Sequence, residues 1–161
     1  MINNNDFNTL KEVNKIYTHK HIIANYIKEI INNLSSRALD HDNSKLTPEE
    51  LEGYVKYGKI LDNAVIGTQE YQETLELMDK YNQIHYKRNR HHPEYHANGV
   101  NDMNLIDIVE MFSDWCATSD YKNTDVVKVM EETLFERFGI DDQLGNILKN
   151  TIIYLRDNQT L

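Results

Sequence analysis

The chain has 161 residues, a net charge of -9, two prolines, six glycines and one cysteine. That length suits one domain, able to bury about 70% of its unfolded surface. The acidic balance argues against a broad nucleic-acid footprint, which needs a basic face, and leaves room for a small phosphorylated ligand held through a metal ion. The sequence has no apolar run of about 20 residues to span a membrane. Met-Ile-Asn-Asn-Asn-Asp lacks the basic and apolar regions of a signal peptide. A lone Cys116 excludes an internal disulfide and fits a reducing, cytoplasmic setting.

Residues 1–8 are Asn-rich and read as loose. From Thr18 a helix is signalled by His19, Ile22, Ile23, Tyr26, Ile27, Ile30, Ile31 and Leu34, which follow the i, i+3, i+4, i+7 rule. The stripe reads as a main element of the core, and it turns His19 inward and His21 outward. A core histidine bonded to backbone is the plainer reading of His19; a metal ligand is the functional one. Ser35-Ser36 can end this helix and cap a short one through His41.

The stretch Arg37-Ala-Leu-Asp-His41-Asp42-Asn-Ser44-Lys45 carries the densest chemistry. Adjacent helical residues point about 100° apart, so His41 and Asp42 can grip one ion from two directions if a turn begins there. Imidazole and carboxylate both suit a first-row divalent metal, and Lys45 offers a point charge for phosphate. Thr47-Pro48-Glu49-Glu50 reads as a helix start with Thr47 at the N-cap, Pro48 at N1 and Glu50 at N3. That helix runs to about Leu61, and Asn63 to Thr68 is a loop.

Thr68 to about Asn89 forms a long polar helix with Tyr71, Leu75, Met78 and Ile84 inward. Its last turns hold His85, Lys87, Arg88 and Arg90, which suit the negative end of a helix dipole. Asn89-Arg-His91-His92-Pro93-Glu-Tyr-His96 follows. Pro93 restricts His92 to an extended conformation, and the histidine pair is either a solvated corner or a metal clip. Asn104 to Ser119 is a second strong helix, with Leu105, Ile108, Val109, Phe112 and Cys116 on one stripe, widened by Ile106, Met111 and Trp115. Asp107, Glu110 and Asp114 share the remainder, as a solvated strip or as the source of a carboxylate for a buried ion, with Asp114 best placed. Asp125 to Phe138 and Gln143 to Asp157 close the chain. With no period-2 strand of any length, the fold class is all-α.

An inward histidine, a His-Asp doublet, a later histidine group and a distal helical aspartate resemble the HD-domain metal-dependent phosphohydrolases. His41-Asp42-Asn43-Ser44-Lys45 is similar to a doublet-x-small-Lys variant, with Ser44 where Gly is usual. Arg37 through Lys45, Asn89 through Tyr95 and Ile108 through Trp115 more closely resemble a small family of uncharacterised HD-like proteins common in phages and Firmicutes. The resemblance covers about residues 18–155. It implies a helical HD-like bundle with His19, His41, Asp42 and Asp114 as ligands of a divalent ion (Mn, Fe, Co, Ni or Zn), and His85 with His91 or His92 holding a second. It further implies metal-assisted hydrolysis of a nucleotide or other small phosphate ester, with Asp42 or a neighbouring carboxylate as base and Lys45, joined by Arg88 or Arg90, neutralising phosphate. The rival is a non-enzymatic interaction or inhibitor protein on the same scaffold, with a structural or vestigial metal site. Homo-oligomerisation stays open.

Overall fold

The computed structural model describes residues 4–63 and 68–158. Every element among them is helical, so the fold is all-α, and none of the helices is long and apolar enough to cross a membrane. The chain divides into two compact units, one ending at Leu39 and one beginning at Asp40.

Helix α1 (Asn4–Asp40) forms the described part of the first unit and ends on the first residue of the second. It begins well before Thr18, so residues 4–8 are helical rather than loose. It also runs unbroken through Ser35-Ser36. Ser35 Oγ donates to the Ile31 carbonyl one turn back, 2.8 Å away, which satisfies the hydroxyl inside the helix and removes the expected cap. Ile22, Ile23, Tyr26, Ile27, Ile30 and Ile31 are all exposed in this unit. Taken by itself, this unit offers no second helix for the stripe expected to build the core to pack against. Periodicity identifies which side of a helix is apolar, but not what covers it.

In the second unit, His41 and Asp42 form the turn that follows α1. Asp42 takes a left-handed conformation, φ 56° and ψ 13°, and opens a 3-10 turn over Asn43–Leu46. Short polar residues are the ones that tolerate that region best, and the carboxylate is aimed by it. Helix α2 (Pro48–Gly53) starts at Thr47 with proline at N1 as expected, but the capping box does not form. Thr47 Oγ1 donates to the Ser44 carbonyl at 2.7 Å, and Glu50 turns away into the interior. A π turn, Tyr54–Gly58, carries the chain into α3 (Lys59–Asn63). The expected loop at Asn63 to Thr68 falls mostly on residues 64–67, outside the described residues.

Helix α4 (Gln69–Arg88) opens at Thr68, whose side chain accepts from the Tyr71 amide at 3.3 Å. Its buried residues are Thr74, Met78, Tyr81 and His85, a 4-3-4 spacing that makes one face. That face meets α2 closely: a Cβ at Gly53 would lie 2.5 Å from the Tyr81 ring. Tyr71, Leu75 and Ile84 are half-buried at its margins.

Helix α5 (Leu105–Tyr121) starts with a complete capping box between Asn104 and Asp107. Met111, Phe112 and Trp115 enter the apolar core with Val126, Met130, Leu148 and Ile152. The last four come from α6 (Val126–Val129), a π turn over Met130–Leu134, and α8 (Asp142–Asp157). Trp115 stacks on Phe138 of α7 (Phe135–Phe138), with ring centroids 5.8 Å apart. Gly139, at φ 63°, ends that helix in the left-handed conformation favoured after a C-terminus. The buried face of α5 is thus rotated from the expected stripe: Leu105 is exposed, while Asp107 and Glu110 are buried. The acidic edge of the helix is not a solvated strip.

Candidate metal centre

Three segments of the second unit converge: the turn at His41-Asp42, the end of α4 at His85, and the corner at His91-His92. The α4 face brings His85 inward behind Met78 and Tyr81. Pro93 holds His92 extended, at φ -91° and ψ 129°, as the sequence predicts. Asp42, His85, His91 and His92 can each offer one ligand atom, and these atoms lie within 4.8 Å of one another.

Four atoms at this convergence, Asp42 Oδ1, His85 Nε2, His91 Nε2 and His92 Nε2, are buried and have no hydrogen-bond partner. Asp42 Oδ1 is 3.3 Å from His85 Nε2 and 3.5 Å from His91 Nε2. A buried polar atom without a partner costs about 1–3 kcal/mol. Four converging on one point are better satisfied by a shared cation than by one another. Three imidazoles and a carboxylate are a donor set for a transition metal and a poor one for calcium or magnesium.

The outer nitrogens are held by carboxylates. His85 Nδ1 donates to Glu50 Oε2 at 2.8 Å, and Glu50 is fully buried. Ser44 Oγ also donates to Glu50 Oε2, at 2.9 Å, and Arg88 Nη1 reaches Glu50 Oε1 at 3.3 Å. Asn89 Nδ2 donates to Ser44 Oγ at 2.7 Å and closes the ring of contacts. On the other side, Glu110 Oε1 lies 2.9 Å from His41 Nδ1 and 3.2 Å from His91 Nδ1. An Nδ1–H given to a carboxylate fixes the tautomer, so that the Nε2 lone pair faces inward; metal-bound histidines are commonly oriented this way.

A second group shares Asp42: His41, Asp42 and Asp114. His41 Nε2 is 3.5 Å from Asp42 Oδ2 and 3.7 Å from Asp114 Oδ1. The carboxylates of Asp114 and Glu110 beside it push the His41 pKa up to about 10, against the effect of burial. Without an ion, His41 is therefore an imidazolium, and a metal there would have to displace its proton. His92 is the opposite case. Burial, followed by the neighbouring rings of His91 and His85, lowers it to about 3. It stays neutral with its lone pair available. Burial also works against the Asp42 carboxylate, but the His85 ring and the Lys45 ammonium outweigh it and hold Asp42 well below the usual range. The neutral His92 ring and the ionised Asp42, converging with His85 and His91, favour that group as the first place for an ion.

The second unit assembles this cluster from His41, Asp42, His85, His91, His92 and Asp114, all singled out in the sequence. His19 belongs to the first unit, where it is exposed on α1. Lys45 pairs with Asp42 and lies over the Tyr54 ring, 5.4 Å from its centroid. Arg88 is engaged by Thr47 Oγ1 at 3.0 Å and by Glu50. Arg90 is also committed elsewhere. Its Nε and Nη2 donate to the two oxygens of fully buried Asp107, at 3.1 and 2.9 Å, which makes it a structural clamp between the histidine corner and α5. Arg90→Ala should cost about 2–3 kcal/mol, less than a fully buried pair because the guanidinium is partly in water. Its metal affinity should stay within about threefold of the parent, since affinity responds to ligands and their direct supports. Unfolding and metal titration of this variant check both parts. In sequence Glu50 reads only as a helix-start residue, and Glu110 stands beside Asp114 as a carboxylate for the ion but not as the support of His41 and His91.

A family model described as a family of unknown function (DUF5662) matches residues 8–153. The chain belongs to that family. No curated protein and no solved structure matches it. Membership in DUF5662 brings no activity with it, so the chemistry rests on the residues themselves.

Proposed function

We propose that this DUF5662 protein is a divalent-metal-dependent phosphohydrolase acting on a small phosphate ester. The observation that supports this most is the set of four buried, unpartnered ligand atoms on Asp42, His85, His91 and His92. Their chemistry fits Mn, Fe, Co, Ni or Zn, held by those four residues, with His41 and Asp114 beside them on the shared Asp42. Such an ion, when bound, supplies Lewis acidity toward a phosphoryl oxygen and makes water a stronger acid.

The chain's own groups supply the rest. Lys45 carries the charge that a phosphate needs, and its partner Asp42 holds it at the edge of the cluster. Burial opposes its charge, but the hydrogen bond and attraction to Asp42 raise its pKa, so it stays an ammonium. Asp114, partly exposed and held ionised by His41 against the effect of burial, is the carboxylate placed to accept a proton. Arg88 and Arg90, spent on Glu50 and Asp107, are left out of phosphate binding in this reading.

The test is a screen of metal-loaded protein, with Mn, Co, Ni and Zn in turn, against nucleotides, sugar phosphates and aryl phosphates. Turnover of at least one ester class is expected. Lys45→Ala should keep its metal and lower kcat/KM about 100-fold, the order seen when one preorganised charge or donor is removed. A loaded protein inert toward the whole panel would overturn the reading. It would favour instead an interaction protein with a structural site.

A further inference from the structure

Beside the cluster lies a cleft of about 680 Å³, within the size range of small-molecule sites. Tyr54, Tyr71, Leu75, Met78, Asn82 and Tyr121 give it walls of rings and aliphatic chains, with one neutral amide. Among the described lining residues there is no carboxylate, and Lys122 is the single charged side chain.

Tyr54 belongs to both places. One side of its environment is the cleft; against its ring stands the Lys45 ammonium, which pairs with Asp42. The cleft is therefore one side chain away from the group that would meet a phosphate. An ester whose phosphoryl group sits at Lys45 would have its alcohol portion directed along Tyr54.

We propose that this cleft is the specificity subsite and that it selects phosphate monoesters of alcohols bearing a flat, uncharged ring. The inference rests on the phosphohydrolase reading for its phosphate half. The chemistry of the lining decides the other half. Tyrosine rings and Met78 offer stacking and soft apolar contact, and Asn82 can give and take a hydrogen bond at a ring edge. A polyol has no flat apolar face for the tyrosine rings, Leu75 and Met78 to cover, so it gains less from these walls than a ring does.

The experiment compares 1-naphthyl phosphate and adenosine 5′-phosphate with glycerol phosphate on metal-loaded protein. In the parent, kcat/KM should favour the ring-bearing esters at least tenfold. Leu75→Trp fills the cleft and should reduce that preference at least tenfold; Asn82→Ala should reduce it for adenosine 5′-phosphate more than for 1-naphthyl phosphate. Both variants are first required to match the parent's circular dichroism and metal content. A preference unchanged by Leu75→Trp overturns the proposal. If no ester is hydrolysed, the hydrolase reading fails, and the cleft is judged by binding of adenosine alone in saturation-transfer NMR. Adenosine signals that vanish in Leu75→Trp then support the cleft, and no binding to the parent overturns it.

Discussion

Chelator-treated protein should melt at a lower temperature, and adding Mn or Co should restore and exceed the starting value. An ion that binds only the folded state, at a hundredfold excess over its Kd, adds about 2.7 kcal/mol. For a chain of this size that corresponds to about 5–11 °C in melting temperature. The physical source is the relief of four buried atoms that lack hydrogen bonds: Asp42 Oδ1 and the Nε2 atoms of His85, His91 and His92. Asp42→Ala removes the carboxylate oxygen of the four-atom convergence and should abolish the response. His91→Ala should do the same without touching the His41–Asp42–Asp114 group, which shows where the first ion goes. His19→Ala, by contrast, tests the ligand that the family resemblance implies and that the first unit carries on an exposed surface. Differential scanning fluorimetry with metal analysis of each variant is sufficient. A melting curve indifferent to chelator and to every added metal would remove the metal-centre reading and the hydrolase proposal with it.

Much of the local structure was legible because it depends on neighbours in sequence. Thr47-Pro48 and Thr68 start helices where their chemistry says, Gly139 ends one, and Pro93 straightens His92. The doublet and the histidine pair stood out because metal-binding side chains crowd into a few positions. What could not be read was tertiary. Glu50 looks like the third residue of a capping box until the fold puts His85 across from it. Glu110 looks like part of a polar strip until two histidine rings arrive at one of its oxygens. His85 sits among Lys87 and Arg88 in sequence, and only the 74–78–81–85 face separates it from them. The apolar stripe of α1 predicts the helix correctly, but periodicity does not name the element that covers it. Arg90 reads in sequence as a cation for the helix dipole or for phosphate and is instead clamped to Asp107, because a buried aspartate on α5 is invisible without the packing that buries it.

Replacing Glu110 should separate ligands from the groups that aim them. Glu110 donates no atom to the four-atom convergence, yet its Oε1 receives the Nδ1–H of both His41 and His91. Without it those rings lose the bond that fixes tautomer and rotation, and part of the population would present N–H rather than a lone pair to the ion. Loss of such a support lowers metal affinity by about 10–100-fold. Glu110→Gln keeps shape and an acceptor oxygen but not the charge, so it should fall near the lower end of that range, and Glu110→Ala near the upper. His41 supplies an independent readout. The Asp114 and Glu110 carboxylates together push its pKa up to about 10, so loss of the second should bring it down in either variant. A group whose folded pKa is raised stabilises the protein fully below its unfolded pKa of about 6.5 and loses that contribution as pH rises through the folded value. The metal-free parent should therefore lose stability between about pH 7 and 10, and Glu110→Gln should lose less over that window because less was gained. Isothermal titration of metal and ring-proton NMR of His41 check the two effects separately. Parent-like metal affinity in Glu110→Ala, with a correctly folded spectrum, would make Glu110 a packing residue and nothing more.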